Sequence, residues 1–212
     1  VQDIKLILNS HAHLDHAGAI AALARDSGAQ VKASAAGARA LMAGGNDPDD
    51  PLYIGVTRFP PIANVQVVAD GETVRVGPLA LVAHYTPGHT SGSTTWTWRS
   101  CEKSRCLAMV YADSLAAISR DGFRFSDDAG HPHRVEDFRQ SFATIAALPC
   151  DVLITPHPDA SGFMDKVAAR DHGTRPDPLI NTHACAAYVA DARGRFEARL
   201  AKEQQDAHGS HP

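Results

Sequence analysis

The sequence predicts a single α/β domain in which sheets are covered by helices. Strand-like and helix-like stretches alternate along the chain, with no internal repeat and no linker between them. The 212 residues suit one domain, or at most two small ones. A chain of this size buries roughly 70% of its unfolded surface, enough for a core without metals or staples. Hydrophobic residues make up 44% and charged residues 21%, which excludes long disorder, collagen-like repeats and a coiled coil. The formal charge of −4 argues against non-specific nucleic-acid binding, which needs a basic face. No apolar run approaches the ~20 residues that span a bilayer. The unusual count is 12 histidines, several of them clustered, and clustered imidazole is first a metal question.

Taken in order, Ile4–Asn9 reads as a strand carrying Ile4, Leu6, Ile7 and Leu8. The opening residues have no charged n-region, apolar h-region and cleavage site of a signal peptide. A domain opening directly on a buried strand suggests that sequence upstream of Val1 has been lost. Ala17–Asp26 reads as a helix with Gly28 near its end, Val31–Ser34 as a short strand, and Ala35–Met42 as a short Ala-rich helix. Residues 46–61 form a long loop, of the length that is often functional. Val65–Ala69, Thr73–Val76 and Leu79–Thr86 read as strands, with Asp70-Gly71 a hairpin signal between the first two. Thr94–Arg99 and Leu107–Ala112 are strands joined by the Cys101/Cys106 segment. Val135–Ala147 is an amphipathic helix, Val152–Thr155 a short buried strand, and Asp159–Arg170 and His183–Lys202 are helices. The polar stretch 204–212 reads as a frayed tail, so the domain is 1–212 with that tail included.

Four cysteines, Cys101, Cys106, Cys150 and Cys185, contain no CxxC pair, which argues against a Cys₄ zinc site or a thioredoxin-like motif. They allow three pairings, or four buried free thiols. Disulfides would imply a periplasmic or secreted location.

The chemistry concentrates in Ser10-His11-Ala12-His13-Leu14-Asp15-His16, which follows an apolar strand and precedes a helix. His11 and His13 are two apart, so in extended backbone they point the same way. Asp15 and His16 follow as the chain turns, and neighbours can then aim at different metals. A second element, Thr86-Pro87-Gly88-His89, also follows a strand, and its glycine permits the sharp turn. A third, Thr155-Pro156-His157-Pro158, fixes His157 between two prolines after a short apolar strand. Each of the last two is weak alone. Three strand-end histidine sites in this order are far more specific.

HxHxDH, then GH, then a late His resembles the metallo-β-lactamase superfamily. The resemblance implies an αββα sandwich with a dinuclear metal site at one edge of the sheets, here lacking the first strands of the N-terminal sheet. It implies that His11, His13 and His89 hold a first zinc and Asp15, His16 and His157 a second. Each set has three protein ligands and leaves room for water, as a catalytic zinc requires. Iron or manganese is not separated by residue type. Tyr111-Ala112-Asp113-Ser114-Leu115, the Thr95–Trp98 strand, Ser141–Thr144 and Leu148–Leu153 look like subclass B3 β-lactamases. That subclass implies a Cys150–Cys185 disulfide, with an extra small bridge, Cys101–Cys106, as in some members. Ser114 would contact the substrate carboxylate, or is an ordinary loop serine. The hydroxyl that many such enzymes carry two residues later is replaced by Ala116. Asp113 would orient a ligand or lie near the metals. Ile54, in the 46–61 loop, would line the mouth of the site, or that loop is a plain surface crossing.

The implied reaction is hydrolysis of the β-lactam amide (carbapenems, cephalosporins, penicillins) by a hydroxide shared between two Zn²⁺, with Asp15 and Ser114 as the catalytic side chains. With one carboxylate among five imidazoles, the site would stay net positive and attract an anionic drug. The expected partner is that small molecule, with no nucleic acid and no membrane, the chain acting as a monomer in the periplasm or outside the cell. The competing readings are a glyoxalase II-like thioesterase or lactonase, and an inactive zinc-binding fragment. His84, His131, His133, His172, His183, His208 and His211 fall outside the ligand pattern, and Trp96 and Trp98 read as core.

Overall fold

The computed structural model describes residues 1–130 and 132–209. His131 and His211 therefore lie outside the described residues. The first sheet is parallel, in the order β1 (Leu6–Leu8), β2 (Gln30–Ala33) and β3 (Val65–Val67). Parallel neighbours need a crossover. Helices α1 (Leu14–Ala17) and α2 (Ile20–Ser27) supply the first, and α3 (Ala35–Met42) with the loop behind it supplies the second. The second sheet runs β4 (Thr73–Val76), β5 (Leu79–Tyr85), β6 (Thr94–Glu102) and β7 (Arg105–Tyr111) antiparallel, then β8 (Val152–Ile154) parallel to β7. The remaining helices are α4 (Arg134–Ala147), a 3₁₀ turn (Pro158–Ser161), α5 (Phe163–Asp171) and α6 (Ala184–Gly209).

The period-2 alternation of β1 explains the layering. Leu6 and Leu8 pack with Val74, Ala83 and Trp96 between the sheets, whereas Ile7 joins the alanine-rich cluster under α2 and α3. On the far side of the second sheet, Phe125, Phe138, Phe142 and Phe196 are at most 1% exposed and stack with ring centroids 4.4 to 6.1 Å apart. The result is an αββα sandwich whose larger core lies beneath α4 and α6.

Several local expectations change. The first strand shortens to Leu6–Leu8. The single helix expected over Ala17–Asp26 is two, broken at Gly18, where a Cβ would meet the Leu14 carbonyl oxygen at 2.7 Å. Asp70-Gly71 is not a hairpin, because β3 and β4 belong to different sheets. Its turn is tied to β5 instead: Tyr85 N–H donates to the Asp70 carboxylate at 2.7 Å and Gly71 N–H to the Ala83 carbonyl at 2.8 Å. Cys101 and Cys106 sit opposite each other within paired strands rather than in a connecting segment. Both disulfides, Cys101–Cys106 and Cys150–Cys185, are formed. The Asp159–Arg170 helix breaks at Gly162, whose φ is 60°. Helix α6 continues past Gln204 to Gly209. It is pinned by Glu203, which accepts from the Phe125 and Ser126 N–H groups and from Arg199. Among the described residues no helix is long and apolar enough to cross a membrane.

Candidate metal centre

The site assembles where strands end. After β1, the Asn9 amide donates to the His11 carbonyl at 2.7 Å and sets the turn that carries His11 and His13. After β5, Gly88 adopts φ 135°, and a Cβ there would meet the Phe138 ring at 2.9 Å. Only glycine fits that turn, which delivers His89. After β8, the Thr155 hydroxyl donates to the His157 carbonyl at 2.8 Å.

These segments bring all six predicted ligands together in two triads, His11–His13–His89 and Asp15–His16–His157, with the donor atoms of each triad within 4.8 Å of one another. In the second triad, His16 Nε2 lies 3.2 Å from His157 Nε2 and 3.1 Å from Asp15 Oδ2, and His157 Nε2 is 3.5 Å from that oxygen. A tetrahedron with ~2.0–2.1 Å bonds has edges of about 3.3 Å, so these three atoms are spaced as zinc ligands are. The triads adjoin, with the His11 and His16 rings 4.1 Å apart.

In the first triad the outer nitrogen of every ring is taken. His11 Nδ1 donates to Asp113 Oδ1 at 2.8 Å, His89 Nδ1 to the Ala116 carbonyl at 2.7 Å, and His13 Nε2 lies 3.0 Å from Asp50 Oδ2. Such partners fix ring orientation and tautomer. They leave His11 Nε2, His13 Nδ1 and His89 Nε2 to face a common point. His11 Nε2 is fully buried without a hydrogen-bond partner. An orphaned buried nitrogen costs about 1–3 kcal/mol, and a cation at the triad removes that cost. The donor set therefore fits a divalent ion in each triad.

Electrostatics agree. Burial, with His11 and His13 beside it, pushes His89 down to about 3, and burial with His11 pushes His16 down to about 4. Both are neutral ligands at neutral pH. Burial alone would raise Asp113, but the adjacent His11 holds it down at about 2. The same contact, against the opposing effect of burial, holds His11 above its ordinary value.

A cavity of about 410 Å³ opens over the triads. Its lining includes His13, Asp15, His89 and His157, together with the predicted Ser114 and Ile54. His16 faces the adjoining groove beside Trp96, Trp98 and Tyr111. Of the histidines outside the pattern, His84 is satisfied by the Thr97 hydroxyl at 2.9 Å, and His133 precedes α4 at φ 65°. Trp96 is core, its indole donating to the Asn9 carbonyl.

Sequence reasoning missed Asp50, the Ala116 carbonyl and Arg134. The loop offers Asp47, Asp49 and Asp50 alike, and a backbone oxygen has no sequence signature. Arg134 is 6% exposed and donates to the Ser91 hydroxyl at 3.0 Å and to the Asp49 carbonyl, holding the loop over the site. The two triads hold one carboxylate, Asp15, among five imidazoles, and two more carboxylates, Asp50 and Asp113, stand behind the His13 and His11 rings.

Residues 1–101 match the metallo-beta-lactamase superfamily domain. The Rm3 metallo-beta-lactamase is 48% identical, with a TM-score of 0.92 over 96% of this chain and 75% of its own. MEM-A1, a subclass B3 metallo-beta-lactamase isolated from a soil metagenome library, is 45% identical, with a TM-score of 0.91 over 97% of this chain and 77% of its own. A hydroxyacylglutathione hydrolase of Anaeromyxobacter dehalogenans is 38% identical over 92 residues, which is 43% of this chain and 28% of that protein. The fold and these likenesses define a hydrolase of the metallo-β-lactamase type, with two triads whose side chains suit metal ions. The chain belongs to the metallo-β-lactamase superfamily, within subclass B3.

Proposed function

We propose that the protein hydrolyses the β-lactam amide bond with two zinc ions, taking penicillins, cephalosporins and carbapenems as substrates. The observation that carries this reading is the pair of convergent triads, with His11 Nε2 orphaned beneath the cavity. The likeness to Rm3 and MEM-A1 supports the substrate class. Bound at these triads, two divalent ions would supply a water activated near neutral pH.

The chain's own residues do the rest. His11, His13 and His89 would hold one ion, and Asp15, His16 and His157 the other. Asp113, Asp50 and the Ala116 carbonyl keep the first three rings aimed. Asp15 faces His16 and His157 and also opens to the cavity; His16 keeps its carboxyl ionised against the opposing effect of burial, so it can accept a hydrogen bond from water beside it and orient that water. Ser114 donates to the substrate carboxylate, and Ile54 covers the apolar side of the ring. No side chain acts as nucleophile, so no acyl-enzyme accumulates. All six ligands come from one chain, which suits a monomer. Two disulfides suit the periplasm or the extracellular space.

The test is nitrocefin hydrolysis before and after EDTA, with zinc restored. Activity should disappear and return, whereas full activity in folded, metal-free protein would refute the reading. A thioesterase reading is favoured only by the partial match to the hydroxyacylglutathione hydrolase. A panel of a carbapenem and S-lactoylglutathione separates the two.

A further inference from the structure

We infer that Arg58 binds the substrate's carboxylate, working with Ser114 in place of the hydroxyl that Ala116 lacks. The inference rests on the β-lactamase reading and names the residue that gives it selectivity for anions. Among the residues lining the cavity, Arg58 is the one lysine or arginine. The charge balance favours such a cation. Two divalent ions would bring four positive charges, and Asp15, Asp50 and Asp113 return three. Little net charge remains to draw an anion, and the other walls are apolar, formed by Leu14, Leu52, Ile54, Val56 and Ile118.

The backbone of Arg58 is held firmly. Its N–H donates to the Gly44 carbonyl at 2.8 Å. A Cβ at Gly45 would meet Arg58 Cβ at 3.3 Å, so the Gly44-Gly45 turn packs directly beneath it. The next residue, Phe59, is 5% exposed and anchored in the alanine-rich core. Arg58 is thus an exposed residue on a fixed backbone in the wall of the cavity. A planar fork of donors matches a carboxylate with two parallel hydrogen bonds, which an ammonium cannot do.

The test uses the zinc-loaded protein, nitrocefin, the nitrocefin methyl ester, and the variants Arg58→Gln and Arg58→Lys. Circular dichroism and zinc content confirm that each variant is folded and loaded. For nitrocefin, Arg58→Gln should raise KM about tenfold while kcat changes less than twofold, with Arg58→Lys between. The preference for free acid over ester should shrink by the same factor. Added salt should raise the wild-type KM more steeply than that of Arg58→Gln. A nitrocefin KM within twofold of wild type in Arg58→Gln, with the acid preference intact, overturns the assignment and leaves the hydrolase reading standing. Wild-type protein inert toward every β-lactam overturns both.

Discussion

At the residue scale, the first triad is a set of three imidazoles each aimed by one partner, and those partners are open to test. Asp113→Asn keeps the shape but loses the charge behind His11. It is expected to weaken first-site metal affinity by about 10–100-fold, read by competition with a chromogenic chelator. His157→Ala should instead release the ion of the second triad, leaving roughly one zinc per chain by elemental analysis and most activity gone. The second triad is also the more open: Asp15 and His157 are exposed, whereas His11 and His89 are buried. Stepwise chelation should therefore empty it first, seen as a biphasic loss of metal. The six residues of the two triads were legible because their spacing follows strand ends. Asp50 was not, because its role depends on Arg134, 84 positions further along the chain in another element, pulling on the Asp49 carbonyl.

At the element scale, two ties hold irregular segments against helices. Arg134 at the start of α4 grips the 46–61 loop, and Glu203 in α6 grips residues 125–126. Burial alone would raise the Glu203 carboxyl, but the Ser126 N–H and hydroxyl, Arg199 and the Phe125 N–H outweigh it and hold it below the ordinary range. A depressed folded pKa contributes stability that is fully present above the ordinary glutamate value of about 4.3 and lost as pH falls through the lower folded value. Glu203→Gln should destabilise at pH 7, and its thermal midpoint should fall less steeply than the wild type's on acidification through that window. Periodicity identified β5, β7, α3 and α4 nearly to the residue. It failed at Asp70-Gly71 because local turn chemistry cannot tell a hairpin from a crossing between sheets. It also stopped α6 short, since the polar composition after Gln204 hides the anchoring that Glu203 provides just before it.

At the scale of the whole molecule, the sandwich is stapled once across its larger core and once at a hairpin tip. Cys150–Cys185 closes 35 residues and Cys101–Cys106 closes 5. In the loop-entropy model these are worth about 4 and about 2 kcal/mol. Replacing Cys150 and Cys185 by serine should lower the denaturant midpoint clearly more than the same change at Cys101 and Cys106. The αββα layering was legible through the ligand motif and the β1 alternation. Which strands share a sheet was not, because pairing is decided by burial between layers rather than by neighbouring sequence.

The cavity joins two kinds of material. Its floor is made of strand ends locked in the core, as at Gly88, where any side chain would strike Phe138. Its rim is loop, with Ile54 59%, Val56 52% and Ile118 50% exposed. Heritable change will fall unevenly on the two. The floor admits almost no substitution, while the rim can vary at little cost to folding. Divergence among relatives should concentrate at those rim positions, altering which molecules the cavity accommodates, while the triads beneath stay the same.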